Sequence, residues 1–124
     1  MMASMKYALK KMNRFFEKIF RKKESKVHKV REGTIRRSYV FYGNVQGVGF
    51  RYYARQAAES LRVTGWIENE YDGTVSMEAQ GLEEELDRMI VMIQSGRYIE
   101  ITDMNVKSIP VIPDERSFHV KDYY

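Results

Sequence analysis

An α+β domain with two helices laid on one face of a mostly antiparallel sheet is what this 124-residue chain predicts. Apolar residues recur at helical spacing in two runs, with Phe50, Ala54, Ala57, Ala58 and Leu61 sharing one side of the first. Leu82, Leu86, Met89, Ile90 and Ile93 do so in the second. Strand-like runs surround these helices, and Val63 to Asn69 alternates strictly, with Val63, Gly65, Ile67 and Asn69 on one face. Charge divides the chain as well. Residues 1–37 carry thirteen Lys and Arg against three Glu, a net of +10, whereas residues 38–124 carry eight against fourteen acids, a net of −6. The folded body is therefore assigned to 38–124 and a basic arm with a charged linker to 1–37.

Taken in order, the body opens with a strand at Tyr39-Val40-Phe41-Tyr42, followed by a glycine-rich turn and the helix from Phe50 to Leu61. The alternating strand ends at Asn69, Asp72-Gly73 signals a hairpin, and Thr74 to Gln80 returns. The second helix begins with Glu83, Glu84 and Glu85, acids that suit a helix N-terminus and read as solvated rather than catalytic. Gly96 ends it, and extended stretches near Ile99–Ile109 and Phe118–Asp122 finish the chain, separated by Pro110 and Pro113. The order β-α-β-β-α-β plus a terminal strand is that of a ferredoxin-like split βαβ sandwich. That fold serves many functions and settles none of them.

In the arm, Met5, Ala8, Leu9, Met12, Phe15, Phe16, Ile19 and Phe20 fill one side of a helix, an arc of about 140°. Lys10, Lys11, Arg14, Lys18 and Arg21 point away from it, and Tyr7 alone breaks the pattern. A basic amphipathic helix of this kind over residues 5–23 fits an anionic membrane surface or an acidic protein partner. Packing on the chain's own acidic body is the competing reading. Nucleic acid is disfavoured, because the aromatics lie on the apolar face instead of interleaving with the cations. No run is long and apolar enough to be a transmembrane helix, and no uninterrupted apolar core marks a secretory signal. Residues 24–37 read as a charged linker.

Composition removes several chemistries. With no cysteine there is no disulfide, thiol nucleophile or thiolate zinc site, and the chain suits a reducing, cytoplasmic setting. His28 and His119 are lone imidazoles without carboxylate spacing, so neither a metal site nor a cofactor is expected. Gly47-Val48-Gly49 lacks the third glycine of a dinucleotide fingerprint, and a Gly-Lys-Ser/Thr phosphate loop is missing.

One stretch does carry chemistry. In Gly43-Asn44-Val45-Gln46-Gly47-Val48-Gly49-Phe50-Arg51 a glycine-punctuated turn leaves a strand, opens a helix and ends on an arginine. Glycines let successive N–H groups converge, the helix N-terminus adds partial positive charge, and the guanidinium offers a fixed fork for phosphate oxygens. The run resembles the phosphate-binding signature of the acylphosphatases. A second stretch resembles that family's other motif: Gly65-Trp66-Ile67-Glu68-Asn69-Glu70-Tyr71-Asp72-Gly73-Thr74-Val75, completed by Gly81. Two long motifs in the right order are far more specific than either alone, and the likeness covers roughly residues 38 to 124.

The resemblance implies hydrolysis of small-molecule acyl phosphates by a monomer that needs no metal. It assigns the phosphate fork to Arg51, the amide cradle to Gln46, Gly47, Val48, Gly49 and Phe50, and the attacking water to Asn69. Three departures accompany it. Phe41 and Ile67 are tolerable core exchanges, whereas Glu68 stands where the family has a basic or polar residue, so weaker attraction of anionic substrates is expected. The rival reading is a non-catalytic anion-binding module that docks through the basic N-terminal helix.

Overall fold

The computed structural model describes residues 30–122, so the amphipathic segment 5–23 and residues 24–29 of the proposed linker lie outside it. The elements are β1 (Thr34–Asn44), α1 (Phe50–Leu61), β2 (Thr64–Asn69), β3 (Val75–Leu82), α2 (Glu83–Gln94), β4 (Glu100–Ile109) and β5 (Phe118–Lys121). They form one five-stranded sheet in the order β4-β1-β3-β2-β5, in which β5 runs parallel to β2 and the other pairs are antiparallel. This is the expected ferredoxin-like sandwich, with the terminal strand added beside β2.

One face of the sheet meets both helices. Tyr39 and Phe41 of β1, Ile67 of β2, and Val75, Met77 and Ala79 of β3 point into it, against Phe50, Ala54, Ala57 and Ala58 of α1 and Leu86, Met89 and Ile93 of α2. The alanines are why α1 can settle closely on the strands. Within the sheet, β2 comes close to β3 at Gly65, whose φ is +141° and where a Cβ would fall 1.9 Å from the carbonyl oxygen of Glu78. A glycine there lets β2 be sandwiched between β3 and β5.

Thr34–Arg37, read above as the end of the linker, are in fact the start of β1, paired from Thr34 opposite Leu82. Two arginines hid this, since a charged pair does not look like strand. Arg37 sits on the helix side and reaches Glu83 at 3.0 Å and Asp87 at 2.8 Å on α2. Arg36 lies on the opposite face and is 2 % exposed. Its Nε donates to Glu78 at 3.0 Å, and its Nη1 donates to Gln80 at 3.1 Å and Glu115 at 2.7 Å.

That cluster explains how the chain crosses the molecule. β4 and β5 occupy opposite edges, so residues 110–117 must travel across the sheet. They do so over the face without helices, where Gln80 exchanges two hydrogen bonds with the backbone of Ile112, at 2.9 and 2.8 Å. The acids at the start of α2 are likewise more than solvated. Glu85 accepts from the Leu82 amide at 2.9 Å and from both Nη atoms of Arg31, at 3.1 and 2.6 Å. Burial pushes the Glu85 carboxyl up, but Arg31 and the Leu82 amide outweigh it and hold the group below the usual carboxylate range.

Two outcomes follow. Removing the Arg36 guanidinium leaves two carboxylates facing each other without a counter-charge. Arg36→Ala should therefore lower stability by about 3 kcal/mol in urea unfolding. Because Glu85 is depressed, its contribution is present above the unfolded carboxylate pKa and is lost as pH falls through the folded value. Arg31→Gln should flatten the acid limb of a plot of unfolding midpoint against pH.

Candidate active site

The C-terminal end of β1, the N-terminus of α1, and the C-terminal ends of β2 and β5 all reach the same end of the sandwich. A β-bulge between Tyr42 and Gly43 bends β1 out of its pairing with β4, and the chain passes through Val45, which is buried. Gly47 and Gly49 have φ of +73° and +83°, so the amides of the loop turn inward as few other residues would allow. Gly49 is also the N-cap of α1, and its carbonyl accepts the first helical bond from Tyr53 at 3.0 Å.

A cavity of ≈ 370 Å³ opens there, lined by Gly47, Gly49, Phe50, Arg51 and Asn69 among others. Arg51 is one residue into α1, with its side chain about one-third exposed, and its Nη1 lies 3.7 Å from Asp122 Oδ1. At that separation, with Asp122 largely exposed, the contact is a loose ion pair that another anion can displace. Asn69 enters from the end of β2. Its Oδ1 is buried and accepts no hydrogen bond from any described residue, a condition that a polar atom escapes only by meeting a donor in the cavity.

The structure thus gathers residues separated in sequence by a helix and a strand: the glycine loop, Arg51 and Asn69. Gln46 belongs to the same loop, but its side chain turns the other way. Its Nε2 donates to the carbonyls of Glu70 at 2.7 Å and Thr74 at 2.8 Å, fastening the loop to the β2–β3 hairpin. The hairpin has its own brace, since Asp72 Oδ1 accepts from the Thr74 hydroxyl and from the Thr74 amide. Those two bonds hold the Asp72 carboxyl below its ordinary range. Glu68 lies on the face away from Ile67 and Asn69, in register with Lys121, whose ammonium sits 4.0 Å from the Trp66 ring centre. The departure at Glu68 therefore has a cation beside it and stands outside the cavity lining.

Sequence reasoning missed four lining residues: Tyr52, Arg55, Val120 and Asp122. Arg55 carried a signal, because it stands one helical turn after Arg51 and must share its side of α1. Val120 and Asp122 carried none, since nothing local says that β5 will align beside β2. His119, the histidine of the body, faces elsewhere and bonds to Ser117 at 2.9 Å. Among the described residues, no three His, Asp or Glu side chains gather as a metal site would require, and no helix is long and apolar enough to cross a membrane.

Fold and site together define a small α+β sandwich of the acylphosphatase-like class. Comparison with known proteins narrows this. The family model described as Acylphosphatase matches residues 37–120. An acylphosphatase of Clostridium acetobutylicum is 42% identical over 79 residues, spanning 63% of this chain and 87% of that protein. One from Clostridium beijerinckii is 38% identical over 88 residues, spanning 70% and 98%. The crystal structure of acylphosphatase from Bacillus subtilis superposes with a TM-score of 0.65 at 28% identity, covering 70% of this chain and 98% of that one. The chain belongs to the acylphosphatase family.

The Gln46 tie has a measurable consequence. The Glu70 carbonyl keeps the Gly73 amide and the Thr74 carbonyl keeps the Glu70 amide, but Gln46→Ala removes two hydrogen bonds between the loop and the hairpin while sparing the loop backbone. It should cost about 1–3 kcal/mol in urea unfolding, and it should increase amide exchange at Glu70 and Gly73.

Proposed function

We propose that this chain hydrolyses acyl phosphates to a carboxylate and inorganic phosphate, using the cavity between the glycine loop, Arg51 and Asn69. The observation that carries this reading is their convergence, together with a buried Asn69 oxygen that finds no protein donor. The amides of Gln46 through Phe50 cradle the phosphoryl oxygens at the positive end of α1, and Arg51 forks onto the same group, exchanging Asp122 for substrate.

Asn69 Oδ1 accepts a hydrogen bond from a water and aims its lone pair at phosphorus, in line with the departing carboxylate. A neutral amide does this without repelling a dianion, as a carboxylate at the same place would. The water's proton passes to a phosphoryl oxygen, so no side-chain base is required. The leaving carboxylate is already a weak base, which leaves the protein chiefly the tasks of positioning and charge stabilisation.

Asn69→Ala should abolish turnover while inorganic phosphate still binds. Arg51→Ala should lose phosphate binding together with about 10²–10³ in rate. An Arg51→Ala enzyme with wild-type turnover would refute the assignment. Hydrolysis of benzoyl phosphate in the presence of chelator is the direct assay, with persistence of activity expected. Asp122→Asn should tighten inhibition by inorganic phosphate about two- to fivefold, because the ion only has to displace a neutral amide from Arg51.

We further propose that the basic segment 5–23 holds this cytoplasmic, monomeric enzyme at an anionic surface. Its net charge against the acidic body supports that. Full-length protein should sediment with vesicles containing phosphatidylserine. A variant with Lys10, Lys11, Arg14 and Lys18 changed to Gln should stay in solution.

A further inference from the structure

Arg51 is the first member of a row. Arg55, Glu59 and Arg62 follow it at one side of α1, at spacings of four, four and three residues, so they stack along the helix. At 1.5 Å per residue Arg55 stands about 6 Å beyond Arg51, and Arg62 about 16 Å beyond it. The row leads out of the catalytic cavity. A second cavity, of ≈ 690 Å³, lies on its far side, lined by Arg55, Arg62, Arg116, Phe118 and His119, and Arg55 belongs to both. The two cavities are therefore joined at one guanidinium.

The direction in which a substrate leaves the cradle is limited. Once the phosphoryl group lies on the loop and Arg51, Val45 and Phe50 close the core side, and Asn69 occupies the side of the attacking water. The acyl group departs opposite that water, and α1 continues from Arg51 to Arg55, which lines the same cavity. Arg55 waits there with a replaceable partner. Its Nε meets Glu59 Oε1 at 3.1 Å, but both side chains are more than half exposed, and pairs of this kind contribute little. Of the other charges around the second cavity, Glu115 is held by buried Arg36 at 2.7 Å and Arg31 twice by Glu85. Arg116 pairs loosely with exposed Asp114 at 3.1 Å, but among the described residues Arg55 is the cation that borders both cavities.

We propose that Arg55 is a specificity-determining residue that receives a second anionic group on the acyl end of the substrate. The preferred substrates are then acyl phosphates whose acyl chain carries a carboxylate or phosphate a few atoms from the anhydride. Acyl phosphates with small neutral acyl groups use only the first cavity. This rests on the reading that the glycine loop and Arg51 take the phosphoryl group.

The test compares succinyl phosphate with acetyl phosphate in wild type, Arg55→Gln and Arg55→Lys full-length protein. Wild type should favour succinyl phosphate, and Arg55→Gln should reduce the succinyl-to-acetyl ratio of kcat/KM about five- to tenfold, with the change carried in KM. Arg55→Lys should recover part of the ratio, and raising the salt concentration should shrink the preference in wild type. Unchanged unfolding midpoints would show that this exposed position has not altered the fold. A ratio within twofold of wild type in Arg55→Gln would overturn the proposal while leaving the catalytic reading intact. Wild type that turns over neither substrate would overturn the catalytic reading, and this inference with it.

Discussion

Gln46 holds the two halves of the site together with a single side-chain amide. The loop that ends in Arg51 and the hairpin that begins after Asn69 follow β1 and β2, strands that are not paired with each other. By donating to the carbonyls of Glu70 and Thr74, Gln46 converts two loops into one body. The side chain of Gln46 stands outside the cavity lining, whereas Gly47, Gly49 and Phe50 of the same loop belong to it. A site that acts by positioning needs such support, because a displacement of about 1 Å in an attacking water is enough to lose much of its effect.

A second constraint operates at the opposite end. Arg36 lies in a face that would otherwise be open sheet, and it binds β3 and the crossing segment 110–117 at once. The segment is thereby pinned where Gln80 can pair with Ile112, and β5 is delivered to the edge of β2. Val120 and Asp122 line the cavity as a result. An apolar residue at position 36 would leave Glu78 and Glu115 without a counter-charge and would not direct the crossing. The buried charge serves specificity of path, a role that buried ionic groups fill in some other proteins.

The electrostatic arrangement near the cavity is lean. The lining holds Arg51, Arg55 and one carboxylate, that of Asp122. Arg55 also meets Glu59 outside the lining, and Glu68 is turned onto the other face of the sheet beside Lys121. The acidic net charge of the body therefore does not reach the cavity through its lining. A cation at the start of a helix, next to glycine amides, concentrates favourable potential where an anion would bind, and the chain needs little else there.

Much of this was legible in one dimension. The helical spacing of Phe50, Ala54 and Ala57, the alternation through Ile67 and the Asp72-Gly73 turn are local properties, and the elements they mark stand where periodicity places them. The two motifs were legible as well, since glycines that turn a backbone and an arginine at a helix start are recognisable residue by residue. Glu83 and Glu85 were read as solvated, and their arginine partners come from positions about fifty residues earlier, beyond the reach of any pattern. Arg36 and Arg37 looked like linker because charge argues against a strand until the partners that neutralise it are known. The sequence by itself determined the elements, their order and the identity of the residues in the glycine loop. The tertiary structure alone decided that Val120 and Asp122 share a cavity with them, because strand pairing brings together residues whose local patterns carry no record of one another.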